Sequence, residues 1–237
     1  MILAAGRGER MRPLSDAVPK PLLMAGGKPL IVWQIEALAR AGFRDIVINA
    51  AHLAEQLIAH LDDGRALGVT LRWSLEPEPL EVAGGIATAL PLLPSGPVLI
   101  VSADVWNAFD YASLAARGAA MKDRNDTRVH LVMVPNPAHH PGGDFVLAGG
   151  RITDGQGPRL TYGNIGLYDT ALFSELPRGS KLKITPFYHH WISRGLVSGE
   201  LYTGPWANVG TPGDLAQLDF TLRTTVPTVT MNTIANA

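Results

Sequence analysis

Glycines and basic residues interleave close to the start of the chain, a combination typical of a loop that binds phosphate. Gly6 and Gly8 let backbone amides approach a polyanion without an intervening Cβ atom. The surrounding positive charges come from Arg7, Arg10, Arg12 and Lys20. Arginine contributes a planar fork of donors and lysine a mobile point charge, so this spacing predicts a site for several phosphate groups.

Two other glycine-rich motifs fit this segment poorly. The dinucleotide-binding pattern G-x-G-x-x-G requires a third glycine at position 11, which is Met11. The P-loop pattern G-x-x-x-x-G-K-[ST] also fails, because Lys28 is followed by Pro29 and no glycine stands at the first position of the pattern. A basic surface turn without function is the remaining alternative.

The segment from Leu3 to Ser15 resembles the signature of the sugar nucleotidyltransferases, L-A-A-G-x-G-x-R-(M/L)-x-P-L-[ST]. Pro19-Lys20-Pro21 follows at the spacing found in that family. The resemblance implies transfer of a nucleoside monophosphate from a triphosphate to a sugar 1-phosphate. It also implies that Arg10 holds the β- and γ-phosphates, and that Lys20 contacts the α-phosphate and the incoming phosphate.

Apolar runs of strand length alternate with segments of helical period up to about residue 134, which predicts a parallel sheet. Glycines that punctuate residues 142–168 predict antiparallel hairpins on the acceptor side. We therefore expect an α/β, Rossmann-like three-layer nucleotidyltransferase fold with a mainly parallel central sheet and a small antiparallel sugar-side subregion. A single domain is expected over residues 1–223, with a loose tail over 224–237.

Asp104 follows the most apolar strand of the sequence, where an ionised carboxylate is costly without a cation. In the family that the chain resembles, an aspartate here holds Mg²⁺, and a second ligand comes from a W-x-[DN]-x-G-T-P segment. That segment is Trp206–Pro212, and Asn208 occupies the ligand position. Asp104 alone could equally be a helix N-cap or a turn residue. By the resemblance, the catalytic residues are Arg10, Lys20 and Asp104, and the metal ligands are Asp104 and Asn208.

Recognition of the nucleotide is expected to depend on the opening loop and on one distant glycine. Gly84 matches a family glycine whose backbone faces the base, although no glutamine that could read a pyrimidine precedes it. Uridine is the expected nucleoside. The acidic residues Glu76, Glu78 and Glu81 are expected to be solvated. The expected nucleotide-binding residues are Ala4, Gly6, Gly8, Glu9, Arg10, Lys20 and Gly84.

The acceptor side resembles the family at two landmarks. Gly143 matches a glycine that lies against the sugar, and Asn164 an asparagine that binds sugar substituents. Asp144 and Asp154 are candidates to bind sugar hydroxyls or simply to form hairpin turns. The family's Glu-Lys-Pro stretch between the two landmarks is absent, which predicts a roomier pocket. The pairs His139-His140 and His189-His190 lack the spacing of a metal site, and no role is predicted for them.

Composition excludes several functional classes. The net charge of −1 and the 17% of charged residues argue against a nucleic-acid partner or an anionic membrane surface. The chain has no cysteine, which excludes disulfides and thiolate chemistry. There is no apolar stretch of spanning length and no signal-peptide pattern, so a cytoplasmic protein is expected, with a monomer favoured.

Within the family, a chain this short, without a C-terminal extension, resembles the members that transfer UMP from UTP to N-acetylmuramic acid 1-phosphate in bacterial cell-wall recycling. Alternatives are a relative that uses mannose or glucose 1-phosphate with GTP or dTTP, and a non-catalytic nucleotide sensor. The sensor is disfavoured because Lys20 and Asp104 are both present. A dinucleotide oxidoreductase is disfavoured by Met11 and by Asn49, which stands where an acidic residue would be required.

Overall fold

The structure, a computed structural model, describes residues 1–122 and 126–225. Within these residues the strands are β1 (Ile2–Leu3), β2 (Met24–Ala25), β3 (Lys28–Pro29), β4 (Asp45–Ala50), β5 (Thr70–Leu75), β6 (Pro97–Ser102), β7 (Val105–Asn107), β8 (Val129–Val134), β9 (Phe145–Ala148), β10 (Arg151–Thr153), β11 (Arg159–Asp169), β12 (Val197–Leu201) and β13 (Trp206–Asn208). The helices are α1 (Leu14–Ala17), α2 (Leu30–Arg40), α3 (Ala54–Leu61), α4 (Glu81–Ala89), α5 (Tyr111–Lys122), α6 (Thr185–Ser193) and α7 (Pro212–Thr225).

Nine strands of the described chain form one sheet in the order β5-β4-β1-β6-β11-β8-β12-β10-β9. The strands β5, β4, β1 and β6 are parallel neighbours, and β12 is parallel to β8. β11 is antiparallel to both β6 and β8, and β10 is antiparallel to both β9 and β12. The seven strands other than β10 and β11 therefore run in one direction, which confirms the predicted mixed sheet of mostly parallel strands.

Alternate residues of the central strands face two apolar layers. Ile46 and Ile48 of β4 pack with α2, α3 and α5, whereas Val47 packs with α4 and α6 on the other face. This period of two is what a strand covered on both faces requires. Helices on both faces of one sheet give the predicted three layers.

A third apolar cluster joins the opening loop to the end of the described chain. Met11 has no exposed surface and packs with Val209, which follows β13, and with Leu218 and Leu222 of α7. Leu23, Ala25 and Leu30 complete the cluster. Burial of these side chains holds the basic loop against the Trp206–Pro212 segment, and it explains why a methionine occupies position 11.

Some boundaries differ from the sequence-based expectation. From the sequence, a helix is expected over residues 85–93, but α4 begins four residues earlier, at Glu81, and it gives way to a short 3-10 helix at Leu90–Leu92. Pro91 accounts for this ending, because proline lacks the amide that an α-helix needs. Helix α7 continues to Thr225, so the first two residues of the predicted tail are helical, and residues 226–237 lie outside the described chain. Among the described helices, none has the length and apolar character needed to cross a membrane.

Candidate active site

The basic loop leaves the carboxyl end of β1 and is fixed around Gly8. The Gly8 carbonyl accepts hydrogen bonds from the Met11 amide at 2.9 Å and from Ser15 Oγ at 2.8 Å. Gly8 has a φ angle of 67°, in the left-handed region that favours glycine. A Cβ atom at Gly6 would meet no atom of the described chain within 4 Å. The loop is thus anchored on one side and open on the other, as a ligand-binding loop must be.

Lys20 lies against this loop and reaches the end of β6. A Cβ atom on Gly8 would come within 3.1 Å of Lys20 Cβ, so glycine permits the close approach. Lys20 Nζ donates a hydrogen bond to Asp104 Oδ2 at 2.5 Å, and only 11% of the lysine side chain is exposed. The predicted catalytic cation and the predicted metal ligand are therefore in direct contact.

Asp104 and Asn208 are brought together by a two-stranded ribbon outside the main sheet. β13 pairs antiparallel with β7, with Asn208 opposite Val105. The Val209 amide donates to the Asp104 carbonyl at 2.9 Å, which extends the ribbon to the aspartate. The two predicted metal ligands thus stand on neighbouring strands, although 104 residues separate them in the sequence.

Arg10 crosses from the basic loop to the same C-terminal segment. A Cβ atom on Gly210 would lie 3.1 Å from Arg10 Nη2, so the guanidinium packs directly over that glycine. Asp214 of α7 fixes this segment by accepting hydrogen bonds from the amides of Gly210 and Thr211, at 3.0 and 2.8 Å. The absence of a side chain at position 210 makes room for the Arg10 guanidinium.

Two neighbouring cavities open at the same edge of the sheet, and Arg10 and Asn208 line one of them. The loop cavity, about 530 Å³, is bordered by the basic loop, including Gly6, Arg7 and Glu9. The strand cavity, about 460 Å³, is bordered by β11 and also by Arg10 and Asn208. Leu3, Val82 and Ser102 line both cavities, so the cavities are neighbours at the carboxyl ends of β1 and β6. This is the position at which parallel α/β sheets bind ligands.

The far wall of the loop cavity contains a buried polar network. Asn49 Oδ1 accepts the Ala4 amide at 2.9 Å, and Asn49 Nδ2 donates to Glu76 Oε1 at 2.7 Å. Glu76 Oε2 accepts the Leu80 amide at 2.9 Å. Burial raises the pKa of Glu76, while the hydrogen bonds from Asn49 and Leu80 oppose that rise. The Ala4 amide is therefore engaged within the protein.

This network corrects one expectation and adds residues that the sequence did not indicate. Glu76 is buried, with 5% of its surface exposed, whereas Glu78 and Glu81 are exposed as expected. Asn49 and Lys181, for which no role was predicted, also line the loop cavity. Asn49 lies one residue before the carboxyl end of β4, the strand next to β1, and this position in a parallel sheet is the signal that could have indicated it.

Gly84 does not have the environment that was predicted. It lies within α4, it is buried, and a Cβ atom there would collide with the Ser180 carbonyl oxygen. The Gly84 amide donates to the Leu182 carbonyl at 3.2 Å. The glycine is thus required by close packing against residues 180–182. It is not among the residues that line the loop cavity, and its base-facing role stays a prediction.

Gly143, on the acceptor side, is also closely packed against other parts of the protein. Its φ angle is 60°, and a Cβ atom would lie 2.7 Å from Asn136 Oδ1 and 2.9 Å from the Arg159 carbonyl carbon. Neither cavity includes Gly143. Asp154 accepts a hydrogen bond from His189 at 2.8 Å and also lies outside both cavities. Protein contacts account for both residues.

Asn164 does line the strand cavity, in a backbone conformation unusual for its type. It has a φ angle of 57° and sits in a bulge of β11, where the pairing with β8 shifts between Tyr162 and Gly166. Trp206 Nε1 donates to the Gly163 carbonyl at 3.0 Å, which ties the bulge to β13. The bulge therefore sets the position of Asn164 relative to Asn208.

Tyr162, Tyr168 and Tyr188 line one part of the strand cavity and form its tyrosine floor, and His139 and His140 also line the cavity. The hydroxyl of Tyr168 lies 2.8 Å from that of Tyr162 and 2.5 Å from that of Tyr188. Burial raises the pKa of Tyr162 to about 12, so this floor is neutral at physiological pH. Asp144 also lines the cavity, but its Oδ2 accepts the Tyr162 amide at 2.7 Å and its Oδ1 lies 3.1 Å from His140 Nε2.

Comparison with known proteins gives a consistent picture. The nucleotidyl transferase family model matches residues 1–142. The N-acetylmuramate α-1-phosphate uridylyltransferase of Neisseria meningitidis is 44% identical over 215 residues, covering 89% of this chain and 92% of the relative. The enzyme of the same name from Caulobacter vibrioides is 32% identical, covering 90% and 91%. A mannose-1-phosphate guanyltransferase from Debaryomyces hansenii is 39% identical but covers only 48% of this chain and 33% of the relative.

Solved structures share the fold. A Bacillus anthracis protein, provisionally named a glucose-1-phosphate thymidylyltransferase and solved with sucrose, superposes with a TM-score of 0.82 at 20% identity and covers 94% of each chain. HddC from Yersinia pseudotuberculosis, complexed with GMP-PN, superposes with a TM-score of 0.76 at 17% identity, covering 94% of this chain and 98% of that one.

Proposed function

The chain belongs to the nucleotidyl transferase family of sugar-1-phosphate nucleotidyltransferases, and on that premise we propose that it transfers UMP from UTP to N-acetylmuramate α-1-phosphate, giving a UDP-sugar and pyrophosphate. The observation that carries this proposal is that Lys20 pairs with Asp104, and that the ribbon next to Asp104 places Asn208 in the wall of the strand cavity, which adjoins the loop cavity. Each cavity has room for one of two phosphorylated substrates. The choice of UTP and of the acceptor follows the two relatives similar over most of the chain.

The reaction forms a bond between a phosphate oxygen of the acceptor and the α-phosphorus of UTP. It breaks the bond between that phosphorus and the oxygen that bridges to the β-phosphate, and pyrophosphate leaves. No enzyme nucleophile is required. The protein must align two polyanions that repel each other and neutralise charge as it moves to the leaving oxygen.

In the proposed complex, UTP occupies the loop cavity and the acceptor occupies the strand cavity. The amides near Gly6 and Gly8, together with Glu9 and Arg7, border the triphosphate. Lys20, freed from Asp104, donates to the α-phosphate and to the incoming phosphate. Arg10, which lies over Gly210, binds the β- and γ-phosphates of the leaving group.

Asp104 and Asn208 fit a magnesium ion, since carboxylate and amide oxygens are the hard ligands that it prefers. Among the described residues no three His, Cys, Asp or Glu side chains cluster as a metal site. Two protein ligands nevertheless suit Mg²⁺, which keeps waters and binds substrate phosphates. When bound, Mg²⁺ would neutralise charge on the phosphate oxygens and hold them in position.

On the acceptor side, Asn164 would bind a polar sugar substituent above the tyrosine floor. Asp144, whose two oxygens are occupied by protein donors, would act by positioning its neighbours. UTP as a substrate suits a role in the cytoplasm, and the acceptor suits cell-wall recycling. The monomeric state stays a prediction.

The experiment that tests this proposal is a substrate panel. UTP, GTP, dTTP and ATP are each combined with N-acetylmuramate, N-acetylglucosamine, glucose and mannose 1-phosphates in the presence of Mg²⁺. Released pyrophosphate is measured and the products are identified by mass. The proposal requires the highest kcat/KM for UTP with N-acetylmuramate 1-phosphate. A preference for GTP with mannose 1-phosphate would instead match the guanylyl-transferring relatives.

A further inference from the structure

The strand cavity has few cations for the acceptor that it is proposed to hold. N-acetylmuramate 1-phosphate carries two anionic groups on different sides of its ring, the phosphate at C1 and the carboxylate of the lactyl ether at C3. Among the described residues that line this cavity, Arg10 is the only permanent cation, and it packs over Gly210, two residues after Asn208, where phosphate is expected. The second anion therefore needs another partner, and the cavity offers His139 and His140.

His140 is held in place by Asp144. The imidazole Nε2 lies 3.1 Å from Asp144 Oδ1, and the other carboxylate oxygen accepts the Tyr162 amide at 2.7 Å. The backbone of the histidine is fixed as well, because its amide donates to the Pro137 carbonyl at 2.9 Å. Nδ1 has no hydrogen-bond partner in the part of the chain that the structure describes. The aspartate thus selects which ring nitrogen faces a ligand.

The protonation state of His140 then determines what Nδ1 can bind. When both nitrogens are protonated, Nε2–H donates to Asp144 and Nδ1–H is a charged donor for an anion. When the ring is neutral with its proton on Nε2, Nδ1 presents a lone pair that repels a carboxylate. Binding of an anion at this position therefore requires the doubly protonated ring.

We infer that His140, positioned by Asp144 and flanked by His139, binds the lactyl carboxylate of the acceptor and so distinguishes N-acetylmuramate from N-acetylglucosamine 1-phosphate. This inference rests on the proposed function. The two sugars are otherwise identical, since the second has a hydroxyl group where the first has the lactyl ether.

Three charged residues lie near His139 and His140 in the part of the chain that the structure describes. Asp144, which immediately precedes β9, contacts the His140 ring. Arg159 of β11 donates from Nη1 to the Asp144 carbonyl at 2.9 Å. Asp214 of α7 is the charged group electrostatically coupled to His139. Tyr162 and Tyr188 line the same cavity and are neutral between pH 6 and pH 8.

The test compares the two sugar 1-phosphates in the wild-type protein, in His140→Gln and in the control His60→Gln, which changes a histidine of α3 outside both cavities. If N-acetylglucosamine 1-phosphate turns over too slowly, its inhibition constant replaces its KM. His140→Gln is expected to reduce the preference for N-acetylmuramate 1-phosphate at least tenfold, with the KM for UTP and the use of N-acetylglucosamine 1-phosphate unchanged. His60→Gln should leave the preference unchanged.

A pH series provides the second readout. In the wild-type protein the KM for N-acetylmuramate 1-phosphate should rise more steeply from pH 6 to pH 8 than that of N-acetylglucosamine 1-phosphate. His140→Gln should remove this difference. Equal losses for both acceptors, or an unchanged preference, would overturn the inference. If the wild-type protein does not use N-acetylmuramate 1-phosphate with UTP at all, the proposed function itself fails.

Discussion

Lys20 Nζ lies 2.5 Å from Asp104 Oδ2, an ion pair that joins the opening loop to the end of β6 across 84 positions of the sequence. Each partner is expected to bind something else during the reaction, the lysine phosphate oxygens and the aspartate a metal ion. The pair therefore keeps two functional groups in position and balances their charges until substrates arrive. This dual use predicts that either partner is far more important for turnover than for stability.

Lys20→Ala and Asp104→Ala should each lower kcat by about 10²- to 10³-fold, the range seen when one stabilising group for transition-state charge is removed. Pyrophosphate release under saturating substrates measures the loss, and thermal unfolding checks the fold. Lys28→Ala is a matched control, because it removes a comparable ion pair, to Glu36 at 2.7 Å, outside both cavities. Nearly full activity in a folded Lys20→Ala or Asp104→Ala variant would refute the role assigned to that residue.

Changing the charge at position 208 should change the metal requirement in a defined direction. Asn208→Asp adds a carboxylate one strand away from Asp104, and the Mg²⁺ concentration for half-maximal activity should fall roughly tenfold, which corresponds to about 1.4 kcal/mol of added attraction. Asn208→Ala should raise that concentration. A magnesium titration of initial rates measures both shifts, and identical titration curves for all three proteins would show that residue 208 is not a ligand.

Gly6 and Gly84 are expected to respond in opposite ways to the same alanine substitution. At Gly6 the new methyl group meets no described protein atom within 4 Å, so Gly6→Ala should stay within about 0.5 kcal/mol of wild-type stability but weaken UTP binding. At Gly84 the methyl group meets the Ser180 carbonyl, so Gly84→Ala should lose about 1–3 kcal/mol of stability. Urea unfolding and the KM for UTP separate the two. A stable Gly84→Ala variant with a specific defect in UTP binding would restore the base-facing role.

Two substitutions of Asn164 can separate the effect of its backbone conformation on stability from the effect of its side chain on acceptor binding. Its φ angle of 57° is accessible to glycine without strain, so Asn164→Gly should keep the bulge of β11. Asn164→Ala should cost roughly 1–2 kcal/mol, because alanine is disfavoured in this region. Both variants should raise the KM for the acceptor and leave the KM for UTP unchanged. If Asn164→Gly binds the acceptor as the wild-type protein does, the side chain is not a ligand of the sugar.

Because His130 is buried, we expect the protein to lose stability in mild acid. Burial lowers the pKa of His130 below its ordinary value of 6.5, although the hydrogen bond to Glu200 opposes the shift. Since the unfolded chain binds the proton more readily, the stabilising effect is complete above pH 6.5 and falls as the pH decreases, by at most about 1.4 kcal/mol per pH unit for one proton. Urea unfolding of wild type and His130→Gln from pH 7.5 to 5.5 measures this, and parallel curves would argue against it.

The residues that contiguous motifs indicate are also the ones that the structure brings close together. The Gly6–Ser15 loop, Lys20, Asp104 and Asn208 were each identified from local pattern, and β7 and β13 bring the last two together. The protein neighbours of a glycine cannot be predicted in the same way. Gly84 and Gly143 touch protein segments that are distant in the sequence, and a single chain gives no signal for such contacts.

Burial of polar residues was equally hard to foresee. Glu76 lies in a proline- and glutamate-rich segment typical of solvated loops, yet it is buried because Asn49, 27 residues earlier, supplies a hydrogen bond. The histidine at position 140 lacks any metal-site spacing, and its place at the strand cavity follows from the turn that brings it to Asp144. Both features arise from tertiary pairing.

The most direct test of the central claim, that the basic loop and Asp104 act on one metal-bound triphosphate, is a crystal structure with a non-hydrolysable UTP analogue and Mn²⁺ in place of Mg²⁺. Anomalous scattering locates the manganese. The expected result is an ion in contact with Asp104, Asn208 and the triphosphate, with Lys20 moved from Asp104 to a phosphate oxygen. An intact Lys20–Asp104 pair, with nucleotide and manganese bound elsewhere, would contradict the claim.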